Sequence, residues 1–414
     1  MNLLMLTKFY PFGTGEAFIE NEIAVLSEYY DKILIIACEV SNGDYCARPL
    51  PSNVTACRVP CGSRRKDTLR GMIQPFSGNT ELADEMRYAR GILAKIFLRY
   101  FEEKSRRIVN YILQTGLIEE SCVEPFVLYS YWFFTTARVG TLIRGRYEPR
   151  YMFTRAHRYD LYEDKNKTGY LPYRLLFLKS YHSVFPCSED GTDYLRRKYG
   201  DDAQNVHTSF LGTLDRGLGR ESTDGVFRIV SCSRLEHVKR VSRIVDALCL
   251  LDREDIAIEW THIGSGTDFE AVRKKAESGL RRIKFKFLGD MKNADVMKLY
   301  QTSPFDLFLN VSDSEGLPVS IMEGISFGIP AVATDVGGTS EIVKDGVTGR
   351  LISSDFTNKQ LAAVIRNFAV NGDMSVSRES CRKFWEEHFQ AIPNYRKLCE
   401  FVREQYESGS QVKK

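Results

Sequence analysis

Residues 305–336 read FDLFLNVSDSEGLPVSIMEGISFGIPAVATDV. FDLFLNVS is a short, nearly continuous apolar run, as expected of a strand buried on both faces. A Gly-Leu-Pro loop follows, then VSIMEGISFG with helical spacing, then a second apolar run, AVATDV. That order predicts a parallel α/β layer. Pro318 suits the first helical position, where a missing N–H costs nothing. The amides of Gly316 and Leu317 and the first helical turn would then face whatever lies beyond the strand, which is an anion site favouring phosphate. Glu315 sits on the loop and Glu323 inside the helix, and carboxylates accept well from the vicinal hydroxyls of a sugar or ribose.

The alternation extends outward from this stretch. FRIVSCS (227–233), IAIEWTHIG (256–264) and IKFKFLG (283–289) read as strands, with VKRVSRIVDALCLLD as a helix after the first. In the first half, NLLML (2–6), KILIIAC (32–38), FVLYSY (126–131), YMFTRA (151–156) and SVFPCS (183–188) are strand-like. Helical spacing at Phe18, Ile19, Ile23 and Leu26 separates the first two. The pattern restarts near Asn205, which predicts two doubly wound domains, residues 1–204 and 205–375. A helical, aromatic tail, 376–414, is expected to pack back on the N-terminal domain.

The bulk numbers narrow the class. The 414 residues are 43% hydrophobic and 27% charged, which excludes a disordered chain. A net charge of +3 makes no case for nucleic acid. Between Arg48 and Arg107, however, basic residues outnumber acids roughly two to one. Such a patch suits phosphate, an acidic substrate or an anionic membrane leaflet, and a solvated helix face equally well. The opening MNLLMLTKFYPF is too short for a secretory signal, and no run approaches a membrane span. Ten cysteines without a signal point to reduced thiols and a cytoplasmic protein, peripheral on the inner membrane face if the basic patch binds lipid. Cys57 and Cys61 form a tight pair without a second pair or a nearby histidine, and Asp313-Ser314-Glu315 is a chance acid-x-acid pattern. Neither metal nor cofactor is expected.

In open α/β sheets ligands bind beyond the carboxyl ends of strands. Two such loops match the chemistry of a departing diphosphate. Ser233-Arg234-Leu235-Glu236-His237-Val238-Lys239 places two cations at one strand-to-helix turn. Thr154-Arg155-Ala156-His157-Arg158-Tyr159-Asp160 places a histidine among charges, with Asp160 able to cap a turn. Glu16 serves either as a charge near a helix start or as an acceptor contact. The aromatic residues Tyr129, Tyr131, Trp132, Phe133 and Phe134 look like core with an acceptor rim.

Glu315-x7-Glu323 within EGLPVSIMEGISFGIPAVATDVGGTSEIVKDGVTGRLI resembles the signature of the retaining GT4-type glycosyltransferases, which have the GT-B architecture of two facing Rossmann-like domains with a cleft between them. Ser233-Arg234-Leu235 with Lys239, Gly264-Ser265-Gly266, Phe287-Leu288-Gly289, Phe12-Gly13-Thr14-Gly15-Glu16 and the histidine loop are similar to further motifs of that family. The resemblance implies metal-independent sugar transfer from a nucleotide-diphosphate sugar, a UDP-sugar first and a GDP-sugar second, to a glycan or polyprenyl-linked acceptor. It implies that Arg234 and Lys239 hold the diphosphate, Glu315 contacts the donor sugar, and Glu323 holds the ribose. Gly316 and Leu317 would touch phosphate; Gly264, Leu288 and Gly289 would line the donor site near the base. Gly15 would allow close approach of the diphosphate, and His157 would meet the donor sugar. Thr14, Glu16 and Asp160 are the acceptor-side candidates. The sequence departs from the family at Gly13-Thr14-Gly15, where many relatives have adjacent glycines, and at Arg240, where glycine is frequent and an altered helix start is expected. The alternatives are a nucleotide-sugar epimerase or phosphorylase on the same fold, or a non-catalytic partner protein.

Overall fold

The computed structural model describes residues 1–13, 15, 16, 18–41, 43, 48–73, 80–121, 125–372 and 376–411. The chain forms two compact units, Met1–Ser209 with Tyr395–Lys414, and Phe210–Asn394. Each is built on one six-stranded sheet whose named pairings are all parallel.

In the first unit the strands are β1 (Asn2–Thr7), β2 (Lys32–Val40), β3 (Val54–Pro60), β4 (Phe126–Ser130), β5 (Tyr151–Ala156) and β6 (Ser183–Pro186). Their order in the sheet is β3-β2-β1-β4-β5-β6. In the second unit they are β7 (Phe227–Cys232), β8 (Ile258–Ile263), β9 (Lys284–Phe287), β10 (Leu307–Asn310), β11 (Ala331–Thr334) and β12 (Gly349–Ile352), ordered β12-β11-β10-β7-β8-β9. Both orders are the doubly wound arrangement, with the reversal of winding between β1 and β4 and between β7 and β10. Helices cover both faces, so central strands such as β4, β10 and β11 are buried throughout and read as apolar runs. At the edge, β9 alternates exposed Lys284 and Lys286 with half-buried Phe285 and Phe287. Lysines there discourage pairing with another chain.

The structure differs from the sequence reading in three places. The edge strand β3 was not anticipated, because its middle residues are half-buried and interrupted by Arg58. Pro318 stands just ahead of the helix Val319–Ser326, at φ −75° and ψ 98°, and not inside it. The tail is divided. Helix Arg378–His388 belongs to the second unit, where buried Trp385 donates to Thr213 Oγ1 at 2.7 Å and Arg382 donates to Ser326 O at 2.7 Å. The residues from Tyr395 onward group with the first unit: Phe401 packs on Phe185 with ring centres 5.5 Å apart, and Arg396 pairs with Glu28 at 3.2 Å. Among the described residues no helix is long and apolar enough to cross a membrane.

Candidate functional site

The switch point of the second unit lies between β7 and β10, so the loops that leave these strands side by side are where a ligand is expected. The loop after β7 ends in a short turn, His237–Lys239, and helix Val241–Leu251 begins beyond it. Arg240 between them has φ +49°, a left-handed conformation that glycine adopts at no steric cost. Its side chain offsets that cost. Nε donates to Val311 O at 2.8 Å, Nη1 to Ser354 O at 2.7 Å and Nη2 to Ser312 O at 3.0 Å. Arg240 therefore clamps the β7 loop onto the carboxyl end of β10. The expected irregular helix start is present, with this clamp as its reason.

The clamp brings Lys239 to Glu315. Lys239 Nζ lies 2.6 Å from Glu315 Oε1, which also accepts from Asn310 Nδ2 at 3.2 Å. Glu315 is buried, and its loop is held from behind by Gly337 and Gly338. Gly338 N donates to Gly316 O at 2.8 Å, and a Cβ at Gly337, where φ is +53°, would stand 2.2 Å from Glu315 O. The N–H groups of Gly316 and Leu317 have no acceptor among the described residues, and they precede the first turn of helix Val319–Ser326. An anion is favoured there by both the free donors and the helix dipole.

Glu323 lies one and a half turns into this helix and is 9% exposed. Asn293 Nδ2 donates to its Oε1 at 2.7 Å. Burial pushes the Glu323 carboxyl up to about 7, against the pull of the Asn293 amide. Cys232 and Tyr300 beside it are both raised, chiefly by burial, so neither neutralises it. Sequence reading missed Asn293, Asn310 and Gly337. Asn310 ends the β10 run and Asn293 opens a helix, positions at which asparagine usually caps the chain and signals no ligand.

Arg234 stands apart from this group: its side chain is 75% exposed and pairs with Glu236 at 2.9 Å. Gly264, Leu288 and Gly289 knit neighbouring strand ends. Gly264 N donates to Gly289 O at 2.8 Å, and Leu288 N donates to His262 O at 2.9 Å. Gly264 has φ +123°, and a Cβ on it would come within 2.1 Å of Ser233 O. It thus lets the β8 loop approach the backbone before Arg234. Leu288 is 39% exposed.

In the first unit His157 follows β5. Its ring lies 4.4 Å from Trp132 and 5.1 Å from Tyr131, centre to centre; neither ring nitrogen has a hydrogen-bond partner among the described residues, and Nδ1 lies 3.9 Å from Asp160 Oδ2. Asp160 is fully buried and accepts from His157 N at 2.6 Å and from Phe133 N at 2.7 Å. It locks the β5 loop to the β4 loop. Glu16, at φ +58°, accepts from Phe9 N and Tyr10 N at 2.6 Å, from Lys8 N at 3.2 Å and from the Trp132 indole. Both its oxygens are engaged in bracing the first loop. Gly15 O accepts from Arg48 Nη2 at 2.8 Å, and a Cβ on Gly15 would touch Phe9 at 3.0 Å. Thr14 lies outside the described residues. Arg155, read from sequence as part of the ligand-side loop, is instead buried in β5 and paired with Glu22 at 3.3 Å.

With this geometry in view, the comparisons with known proteins are specific. Residues 220–386 match the family model for glycosyl transferases group 1. The amylovoran biosynthesis glycosyltransferase AmsK of Erwinia amylovora is 27% identical over 216 residues, 49% of this chain and 52% of that protein. The chain thus spans about half the length of that relative and less of others it matches. The lipopolysaccharide outer core galactosyltransferase WaaB in its apo form superposes with a TM-score of 0.65 at 15% identity, covering 97% of this chain and 100% of that one. Anabaena HepE in complex with UDP-glucose superposes with a TM-score of 0.64 at 15% identity, covering 98% and 100%. The fold is GT-B, and the segment 220–386, most of the second unit, is similar to the glycosyl transferases group 1 family.

Proposed function

We propose that the protein is a retaining glycosyltransferase that takes a sugar from a nucleotide-diphosphate sugar, a UDP-sugar before a GDP-sugar, and gives it to a glycan or polyprenyl-linked acceptor in polysaccharide or surface-glycan assembly. The observation that carries this reading is the pairing of Lys239 with Glu315 at the carboxyl ends of β7 and β10, beside the unpaired amides of Gly316 and Leu317, with Glu323 buried in the helix that follows them. A diphosphate seated on those amides has Lys239 at hand to offset the charge that grows as the glycosidic bond breaks. Arg234 is the second cation in this reading, released from Glu236. Glu315 accepts from the donor sugar near the reacting carbon, and Glu323 accepts from the ribose diol. With cations balancing the diphosphate, the reading needs no metal ion. In the first unit, His157 offers ring nitrogens without a hydrogen bond to a sugar hydroxyl. The family match and the UDP-glucose complex of the HepE neighbour support the donor class.

The membrane reading rests on one face of the first unit. Helices Arg64–Ile73 and Gly91–Thr115 pack together and leave Leu69, Met72, Ile73, Ile92 and Leu93 exposed among Arg64, Arg65, Lys66, Arg70 and Arg90. Apolar side chains ringed by cations suit an anionic leaflet, where a lipid-linked acceptor resides. Binding to anionic vesicles that weakens with salt, and is absent with neutral ones, is the expected result; equal failure with both refutes it.

The decisive experiment is turnover. Nucleotide sugars of each base are incubated with lipid-linked glycan extracts, and release of nucleoside diphosphate is measured beside transfer of labelled sugar. One donor series should support transfer with the anomeric configuration kept. Donor conversion without acceptor, or a requirement for inorganic phosphate, would instead mark an epimerase or a phosphorylase.

A further inference from the structure

The first unit contains a cavity of about 490 Å³ that shares Arg90 with the basic face described above but includes none of the donor-site residues. Its walls include Glu85, Arg87, Arg90, Glu163, Arg174 and Lys198, four cations to two carboxylates. Arg174 is the unusual member. It is 3% exposed, yet its Nε and Nη2 have no acceptor and no carboxylate lies within ion-pair distance of it among the described residues. Its Nη1 donates to Phe133 O, and the guanidinium lies over the Phe133 ring at 4.4 Å. A buried guanidinium left with open donors is costly unless something completes it. Glu163 does not, since it is taken by Lys198 at 2.5 Å and by the Tyr199 hydroxyl at 2.7 Å. Glu85 does not either, since it accepts from the Tyr170 hydroxyl at 2.6 Å and from Tyr173 N at 2.8 Å.

The backbone holds Arg174 in this position at some expense. Tyr173, just before helix Arg174–Ser180, has φ +62°, and the Glu85 hydrogen bonds fix the loop that makes this turn. Strain of this kind persists where the surroundings over-determine it, often beside a binding group.

We propose that this cavity is an oxyanion-binding pocket, in which Arg174 with Lys198, Arg87 and Arg90 takes a phosphate ester or a uronate carboxylate. The planar fork of a guanidinium matches both groups in two-point hydrogen bonding. The volume exceeds that of a lone phosphate, and Tyr88, Tyr170 and Leu171 supply the apolar wall a sugar ring or alcohol moiety requires. Resting on the glycosyltransferase reading for this one step, the ligand is the anionic part of the acceptor.

The test reads binding and not turnover, so it stands or falls apart from the donor chemistry. An Arg234→Ala/Lys239→Ala parent silences the anion site of the second unit. Thermal shift and calorimetry then follow inorganic phosphate, phenyl phosphate and glucuronate up to tens of millimolar. Phosphate or uronate is expected to stabilise the parent, and Arg174→Gln to weaken that binding at least tenfold. Lys198→Ala and Arg90→Ala weaken it severalfold and remain informative if Arg174→Gln does not fold. A phosphoester preference names a phosphorylated ligand, and a glucuronate preference names an acidic sugar. An unchanged response in all three variants, or no response to any probe in the folded parent, overturns the proposal.

Discussion

If Glu323 holds the donor's ribose as proposed, it should couple donor binding to pH, with a sign opposite to its effect on stability. Its carboxyl is raised from 4.5 to about 7 because burial disfavours the charge. The raised pKa means that ionising it in the folded, unliganded protein costs about 3 kcal/mol. Its contribution to stability is therefore fully present below pH 4.5 and is lost as the pH rises through about 7. In the proposed reading a ribose diol donates to the ionised form, so a nucleotide sugar should select the carboxylate and expel the proton. If only the ionised form binds, the apparent Kd scales as one plus the protonated-to-ionised ratio. Between pH 8.5 and pH 5.5 that is roughly a 30-fold loss of affinity. Cys232 and Tyr300, whose pKa values burial raises, stay neutral over this window.

The assay is calorimetric titration of wild type and Glu323→Gln with a nucleotide sugar, whose diphosphate is esterified at both ends and does not titrate here. Wild type should bind more weakly below pH 7 and release about half a proton on binding at pH 7. Glu323→Gln should bind with a flatter profile and release correspondingly less. In the unliganded protein, the melting temperature of wild type relative to Glu323→Gln should fall as the pH rises from 5 to 8. Parallel affinity profiles for the two proteins would refute the reasoning, because the titrating group would then lie elsewhere.

Lys239→Ala should lower kcat/KM by about 10²–10³, the usual loss when one group facing developing charge is removed; steady-state kinetics checks it. Gly337→Ala brings a Cβ to within 2.2 Å of Glu315 O at a φ of +53°, so it should displace the Glu315 loop and weaken nucleotide-sugar binding about tenfold or more, read by calorimetry. Glu16→Gln replaces a carboxylate that accepts from three backbone N–H groups and an indole with an amide that can present only one acceptor atom. A loss of about 2–3 kcal/mol, read by denaturant unfolding, is expected for the first unit.

What was legible in the sequence follows from how each feature is encoded. Buried parallel strands have to be continuous apolar runs, so β1, β4, β7 and β10 stand out without context. The edge strand β3 satisfies its neighbours on one side only, and Arg58 within it leaves no run to see. Glu315 and Lys239 could be read as members of one site because each sits at a strand-to-helix turn, and the topology places the ends of β7 and β10 side by side. What holds them together was not readable. Arg240 reaches Val311, Ser312 and Ser354, residues up to 114 positions away, and nothing local to Arg240 marks those carbonyls as its targets. Arg174 shows the same limit more strongly. In the sequence it is one arginine at the start of a short amphipathic helix, adjacent to nothing that suggests a site. Its significance comes entirely from burial without a partner, a property that exists only once Phe133 covers one face and both nearby glutamates are committed elsewhere. The second unit's proposed ligand contacts lie on consecutive loops, and so show as a motif. The first unit assembles its charged pocket from segments around residues 85, 163, 174 and 198, and so keeps that chemistry hidden until the chain is folded.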